Sequence, residues 1–179
     1  MSSPIATPPI PSLDTERLIL RGHALSDFAD SLAMWSDPLV TRFIGGGRPS
    51  TEEEVWTRLL RYVGHWALLG FGYWAVREKA SGKFVGEVGF ADLKREISPS
   101  IKGTPETGWV LSPSAHGRGL ATEAVRAILA WAETHFEAPR TVCLIALDNL
   151  PSIRVAHKVG YREILRTTYK DAPTLMLAR

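Results

Sequence analysis

"SAHGRGLATEAVRAILAWAE", residues 114–133, places two glycines, Gly117 and Gly119, around Arg118 and runs directly into a helical pattern. Ala121, Val125, Ile128, Leu129 and Ala132 recur at spacings of three and four, so they share one face, and that face is predicted to pack on a sheet. Packing holds the first turn of the helix in place. The first four N–H groups of a helix lack partners within it, and the helix dipole adds about half a positive charge there. An anion suits this position, and the glycines let backbone approach it closely in φ ranges that other residues avoid. The stretch reads as a cradle for a phosphate or pyrophosphate, with a plain glycine-rich connection as the alternative.

Two familiar phosphate loops do not fit. A Walker A loop requires G-x-x-x-x-G-K-[ST], and no lysine here is followed by Ser or Thr. A dinucleotide fingerprint requires a third small residue where Thr122 stands.

Outward from the loop, "RLILRG" (17–22) reads as a strand, and "SDFADSLAMWSD" as a helix with Ser26 as its N-cap. After "GGGRPS", Ser50 and Thr51 each precede a glutamate by three residues, the signature of a capping box. Val55, Leu59, Val63 and Trp66 mark the buried face of the helix it opens. "FGYWAVRE" (71–78), "KFVGEVGFADL" (83–93) and "ETGWVLS" (106–112) read as strands, and so does "RTVCLIAL" (140–147). A helix from Asn149 to about Lys158 is stopped by Gly160, and "YREILRTTY" and "TLMLAR" close the chain. The predicted class is α/β: one domain over 13–179 with a mixed sheet, antiparallel at first and parallel near the glycine loop.

The composition bounds the partners. Of 179 residues, 45% are hydrophobic and 22% charged, enough for one core and an ordinary soluble surface. A net charge of +2 is too small for the basic stripe of a nucleic-acid binder. No apolar run is long enough for a membrane span. The four prolines of "MSSPIATPPIPS" (1–12) describe a loose tail rather than a secretory signal. The lone Cys143 has no internal disulfide partner, which fits a reducing compartment, so a cytoplasmic location is expected. No Cys/His cluster predicts a metal site, and surface or helix-end positions account for His23, His65, His135 and His157.

The pattern x-G-x-G-x-A after a strand ending in "GWVLS" resembles the coenzyme A pyrophosphate loop of the GNAT superfamily of N-acetyltransferases. "LDTERLILRGHALSD" (13–27) and "ETGWVLSPSAHGRGLATEA" (106–124) resemble the branch that acetylates ribosomal-protein N-terminal alanines. "DNLPSIRVAHKVGY" (148–161) is similar to its second coenzyme motif. The resemblance implies a mostly antiparallel sheet of about seven strands flanked by about four helices, and acetyl-CoA as co-substrate.

It also implies roles. Backbone amides of Gly117, Arg118, Gly119, Leu120, Ala121 and Thr122 would hold the pyrophosphate. The Arg118 side chain adds a charged contact, or is a solvated surface charge. His116 stands where the family usually has Gln or Arg. Asn149 would contact the pantetheine arm or simply cap its helix, and Ser152 would lie near the thioester sulfur. The family's tyrosine acid is replaced by Ala156, and Tyr161 reads as a core or strand residue. An amide near Val110 or Leu111 would polarise the acetyl carbonyl. Glu106, and in reserve Glu87 with glycines that leave space around it, are candidate bases; without that role each is an exposed strand glutamate. The acceptor is expected to be a primary amine, foremost a peptide α-amine. A small amine or antibiotic is the alternative, as is a coenzyme A-binding module without turnover. The chain leaves monomer and homodimer open.

Overall fold

The computed structural model describes residues 9–138 and 140–179. In chain order the strands are β1 (Leu13–Asp14), β2 (Leu18–Arg21), β3 (Tyr73–Glu78), β4 (Phe84–Ala91), β5 (Glu106–Leu111), β6 (Val142–Ala146), β7 (Arg162–Tyr169) and β8 (Ala172–Ala178). The helices are α1 (Phe28–Trp35), α2 (Pro38–Thr41), α3 (Glu52–Leu69), α4 (Leu120–His135) and α5 (Leu150–Lys158). All eight strands join one sheet in the order β1-β2-β3-β4-β5-β6-β8-β7, antiparallel except where β5 meets β6. The extra strand is the two-residue β1, and the extra helix is the single turn α2.

The sheet has two faces because side chains alternate along each strand. On one face α4 lays Leu120, Val125, Ile128 and Leu129 over Leu20, Val88 and Leu111, with Trp66, Trp74, Trp131 and Phe90 joining them. On the other, α1 and α3 bury Met34, Trp35 and Val55 against Ala75 and Phe84. Each fully buried Leu or Ile contributes about 1.5–3 kcal/mol, so the two helical layers clamp the strands between them.

Local signals account for most boundaries. Thr51 caps α3 and exchanges hydrogen bonds with Glu54, and Gly70 ends the helix at φ +71°. The buried stripe of α3 is Val55, Leu59, Tyr62 and Trp66; Val63, expected inside, is 44% exposed. Tyr62 displaces it because a buried carboxylate, Glu87, accepts its hydroxyl at 3.0 Å. Ser26 does not cap α1. The chain enters through a tight turn at Leu25–Asp27, organised by Asp27, which accepts the Ala24 amide at 2.8 Å and the Arg21 guanidinium at 2.7 Å. Ile10 and Pro11, expected within the tail, pack on the domain: Ile10 abuts Gly22 and the Pro11 carbonyl accepts the Trp74 indole N–H at 2.8 Å. Residues 1–8 of the expected tail lie outside the described residues. No helix of the described residues is long and apolar enough to cross a membrane.

Candidate active site

β5 and β6 share one register pair, Glu106 with Val142, fastened by the Val142 amide donating to the Pro105 carbonyl at 3.1 Å. Beyond it the strands part, since β5 stays paired with β4 along its whole length and β6 with β8 along its own. The Ser112 amide bonds Val85 across the β4–β5 ladder. By the two-residue alternation, the amides of Leu111 and Trp109 face the gap, and that of Val110 faces β4. On the other bank, Leu144 and Ala146 face the gap, because Thr141 and Leu147 bond toward β8. The opening is lined by backbone groups able to pair with an extended chain that carries amides.

Because β5 and β6 run parallel, the helices that follow them begin at the same end of the gap. After β5 the chain turns through Pro113–Ala115 and enters α4 by way of Gly117 and Gly119, at φ +72° and +77°. Gly119 is the N-cap, and nothing lies within 4 Å of where a Gly117 Cβ would sit. The amides from Gly117 to Thr122 find no acceptor among the described residues; the Glu123 amide is the first to be satisfied, by the Gly119 carbonyl at 3.1 Å. Six donors at a helix start, on a glycine turn with room in front of it, fit a pyrophosphate. Across the gap, Asn149 caps α5 by accepting the Ser152 amide at 3.3 Å, which leaves the Asn149 side-chain N–H groups free.

The loop is held from the β1–β2 turn. Arg17 donates to the Arg118 carbonyl at 2.9 Å and to Glu123 at 2.7 Å, and Thr15 adds a 2.6 Å bond to the same carboxylate. Burial pushes the Glu123 carboxyl up, but Thr15 and Arg17 outweigh it and hold it below the usual range. The Arg118 guanidinium pairs with Glu78 at the end of β3. It is thus an exposed charge that already has a carboxylate partner, and a phosphate would compete with Glu78 for it. The His116 Nε2 donates to the Leu111 carbonyl at 2.9 Å, bracing the turn. Arg17, Thr15, Glu78 and Glu123 brace this loop in a way that the spacing of motifs does not reveal, since their partners lie up to 108 residues away.

The candidate bases are both buried, against their reading as exposed strand glutamates, and both lie on the α1/α3 face. Glu87 accepts Ser31 at 2.6 Å, Trp35 at 2.9 Å and Tyr62 at 3.0 Å, and the His23 Nε2 lies 3.5 Å from its Oε1. Burial alone would raise the Glu87 carboxyl; His23, Ser31 and Trp35 lower it below the usual carboxylate range. The glycines beside Glu87 do not leave space. A Cβ on Gly86 would lie 2.3 Å from the Val110 carbonyl, and one on Gly89 would lie 2.3 Å from the Gly72 carbonyl, so both admit neighbouring backbone. His23 is likewise not at the surface: its side chain is 1% exposed. Glu106, 8% exposed, receives a two-pronged contact from Arg95 at 2.5 and 2.8 Å. It stands at the vertex of the gap, and the Tyr73 hydroxyl lies beside it over Gly108, where a Cβ would be 1.8 Å from that oxygen.

Tyr161 is a core residue, its hydroxyl bonding Thr107 at 2.6 Å and Thr141 at 2.5 Å beneath the vertex. Burial pushes this hydroxyl up to about 12. Ala156 is buried, and no tyrosine stands on α5. Among the described residues no group of His, Cys, Asp and Glu could hold a metal ion.

Comparisons with known proteins place this fold in a family. Residues 17–162 match the acetyltransferase (GNAT) domain model. An uncharacterized N-acetyltransferase of Bacillus licheniformis, p20, is 29% identical over 164 residues, covering 90% of this chain and 88% of its own. A Bordetella pertussis structure assigned to the GnaT family is 34% identical with a TM-score of 0.83, covering 94% of this chain and 99% of its own. An acetyltransferase structure from Agrobacterium tumefaciens is 27% identical with a TM-score of 0.80, covering 95% and 94%. With the family model spanning most of the chain and the fold in agreement, this chain belongs to the GNAT acetyltransferase family and is an acyltransferase.

Proposed function

We propose that this chain transfers the acetyl group of acetyl-CoA to a primary amine, foremost the α-amine of a peptide or protein, in the cytoplasm. The observation that carries the reading is the gap between β5 and β6, whose unpaired backbone groups run from Glu106 to six unsatisfied amides at the start of α4. When bound, acetyl-CoA supplies an activated acetyl thioester. The amides from Gly117 to Thr122 hold its pyrophosphate, with Leu111 and Trp109 on one bank of the gap and Asn149 and Ser152 at the far side. The amide that polarises the acetyl carbonyl is assigned to Leu111 or Trp109 rather than Val110, on the parity of the ladder.

Glu106 is the proposed base. It lies at the vertex on the face opposite α4, its two oxygens keep lone pairs beyond those used by Arg95, and a water can relay the proton. Glu87 already accepts three hydrogen bonds and has His23 against it, so it serves better as an anchor for α1 and α3 than as a proton acceptor. Ser152 is the proposed hydroxyl near the leaving sulfur.

The α-amine is favoured over a lysine side chain because its pKa lies near 8 rather than about 10.4, so at neutral pH it is unprotonated roughly a hundredfold more often. The same fold serves a ribosomal L7/L12 α-N-protein acetyltransferase (15% identical, TM-score 0.75) and a Vibrio cholerae spermidine N-acetyltransferase (12% identical, TM-score 0.70), so the fold leaves the acceptor open. Ala156, without a tyrosine acid, favours a second reading as a coenzyme A-binding module without turnover.

Thiol release from acetyl-CoA, with mass spectrometry of a free-N-terminus peptide and its N-blocked, lysine-containing twin, tests the proposal. Faster acetylation of the free peptide is expected. Faster acetylation of the blocked peptide overturns the α-amine. Turnover only with small amines or antibiotics moves the acceptor to that class, and coenzyme A binding without any turnover establishes the second reading.

A further inference from the structure

Arg58 and Arg61 stand three residues apart on α3, on the side of the sheet where Glu106 and Tyr73 lie, and neither pairs with a carboxylate among the described residues. The guanidinium of Arg58 rests 3.5 Å over the Trp35 ring, and its Nε is buried without an acceptor. Arg61 is exposed, with its guanidinium 5.9 Å from the centre of the Tyr62 ring. Tyr62 stacks on Tyr73 at 4.5 Å, and the Tyr73 hydroxyl makes no hydrogen bond among the described residues although it reaches β5 at Gly108. Burial raises both tyrosine hydroxyls, and the charges of Arg58 and Arg61 act against that rise.

The acids nearest the two arginines have partners of their own. Glu87 holds Ser31, Trp35 and Tyr62. Glu106 is gripped by Arg95. Glu54, the one carboxylate a helical turn from either arginine, is taken by Arg48 and by the Thr51 amide it caps. Beside Trp35 and Tyr62 the uncompensated charge is therefore positive, the unpaired Glu52 and Glu53 lying back in the first turn of α3. A polycation would meet repulsion there, and like charges without counterions oppose close approach.

We propose that Arg58 and Arg61, with the free Tyr73 hydroxyl, form a subsite for a carboxylate, so that the acceptor is an amine bearing an acidic group close to it, such as a peptide whose α-amine is followed by Asp or Glu. This rests on the transferase reading above. Guanidinium groups bind carboxylates in a planar, two-pronged geometry, and a guanidinium stacked on an indole keeps its donors directed outward. An amine flanked by a carboxylate would bring its own counter-charge to the arginines.

The test measures kcat/KM by thiol release for three peptides with the same first residue, followed by acidic, neutral or basic residues, and for spermidine and a free amino acid beside its amide. The acidic peptide is expected to exceed the basic one by about tenfold at low salt, with the gap shrinking between about 0.05 and 0.5 M salt. A larger gain of the free amino acid over its amide than of the acidic over the neutral peptide assigns the subsite to an α-carboxylate. Arg61→Glu, on an exposed side chain, should reverse the peptide preference while leaving coenzyme A affinity unchanged. Equal rates for all three peptides, or faster turnover of the basic peptide or spermidine, overturn the subsite and leave the transferase reading intact. If no acceptor turns over, the transferase reading fails. Calorimetric titration of the same peptides into the coenzyme A-loaded protein then decides the charge preference alone, tighter acidic binding supporting it and equal or weaker binding overturning it.

Discussion

Glu106 of β5 and Val142 of β6 face each other as the single register pair between two strands that separate immediately afterwards. The pair works as a pivot. Both strands begin at this pair, and from there each keeps its outer neighbour and turns a row of unpaired backbone groups toward the gap. The candidate base is thus built into the point where the sheet opens.

Replacing Glu106 by Gln keeps its size and removes proton acceptance, and it should lower kcat/KM about 10²- to 10⁴-fold with coenzyme A affinity retained. Glu87→Gln should instead act on folding, because the charge that accepts three hydrogen bonds from α1 and α3 is lost; a fall of several degrees in Tm is expected, with kcat within about tenfold. Full activity in Glu106→Gln would show that the amine arrives already neutral.

Gly119→Ala forces a side chain into a left-handed backbone conformation, which costs about 1–2 kcal/mol, with the Arg17 guanidinium 3.6 Å from the new Cβ. Gly119→Glu adds a negative charge at the anion site as well. Calorimetry should find coenzyme A binding weakened in the first and lost in the second; undiminished affinity in a folded Gly119→Glu protein would refute the pyrophosphate assignment.

Arg17 ties Glu123 and the Arg118 carbonyl to the β1–β2 turn. Its removal in Arg17→Ala should loosen the glycine turn and weaken coenzyme A about fivefold, equivalent to about 1 kcal/mol for a partly exposed pair. Arg17→Lys should restore little, since a point charge cannot bond the carbonyl and the carboxylate together. Equal affinity in wild type and Arg17→Ala would show that the turn holds itself.

Asp27 is fully buried between Arg21 and Arg77. Burial pushes its carboxyl up, but hydrogen bonds from Arg21, Arg77 and the Ala24 amide hold it at about 2, from an ordinary 3.8. A depressed carboxylate stabilises the fold above its unfolded pKa and loses that contribution as pH falls through the folded one. Asp27 should therefore contribute about 2–3 kcal/mol above pH 4 that disappears toward pH 2. Denaturant titrations of wild type and Asp27→Asn across that range should converge as the acid protonates; a constant difference would refute the linkage.

The sequence by itself determined what depends on near neighbours. The Thr51–Glu54 capping box, the buried face of α4, the Asn149 cap of α5 and the left-handed glycines before Leu120 follow from spacings of four residues or fewer. Backbone geometry and helix periodicity act at that range, and so the glycine turn and the start of α4 were legible before their surroundings were. Tertiary structure decided the chemistry around it. Whether Glu87 is a base or an anchor depends on donors at Ser31, Trp35 and Tyr62, up to 56 residues away. Whether Leu111 or Val110 faces the gap depends on which amides β4 already claims. His23 looks like an ordinary loop histidine until α1, α3 and β4 close over it. A carboxylate's reactivity and an amide's availability depend on which of their lone pairs and protons remain unused, and that is settled only when distant segments have packed.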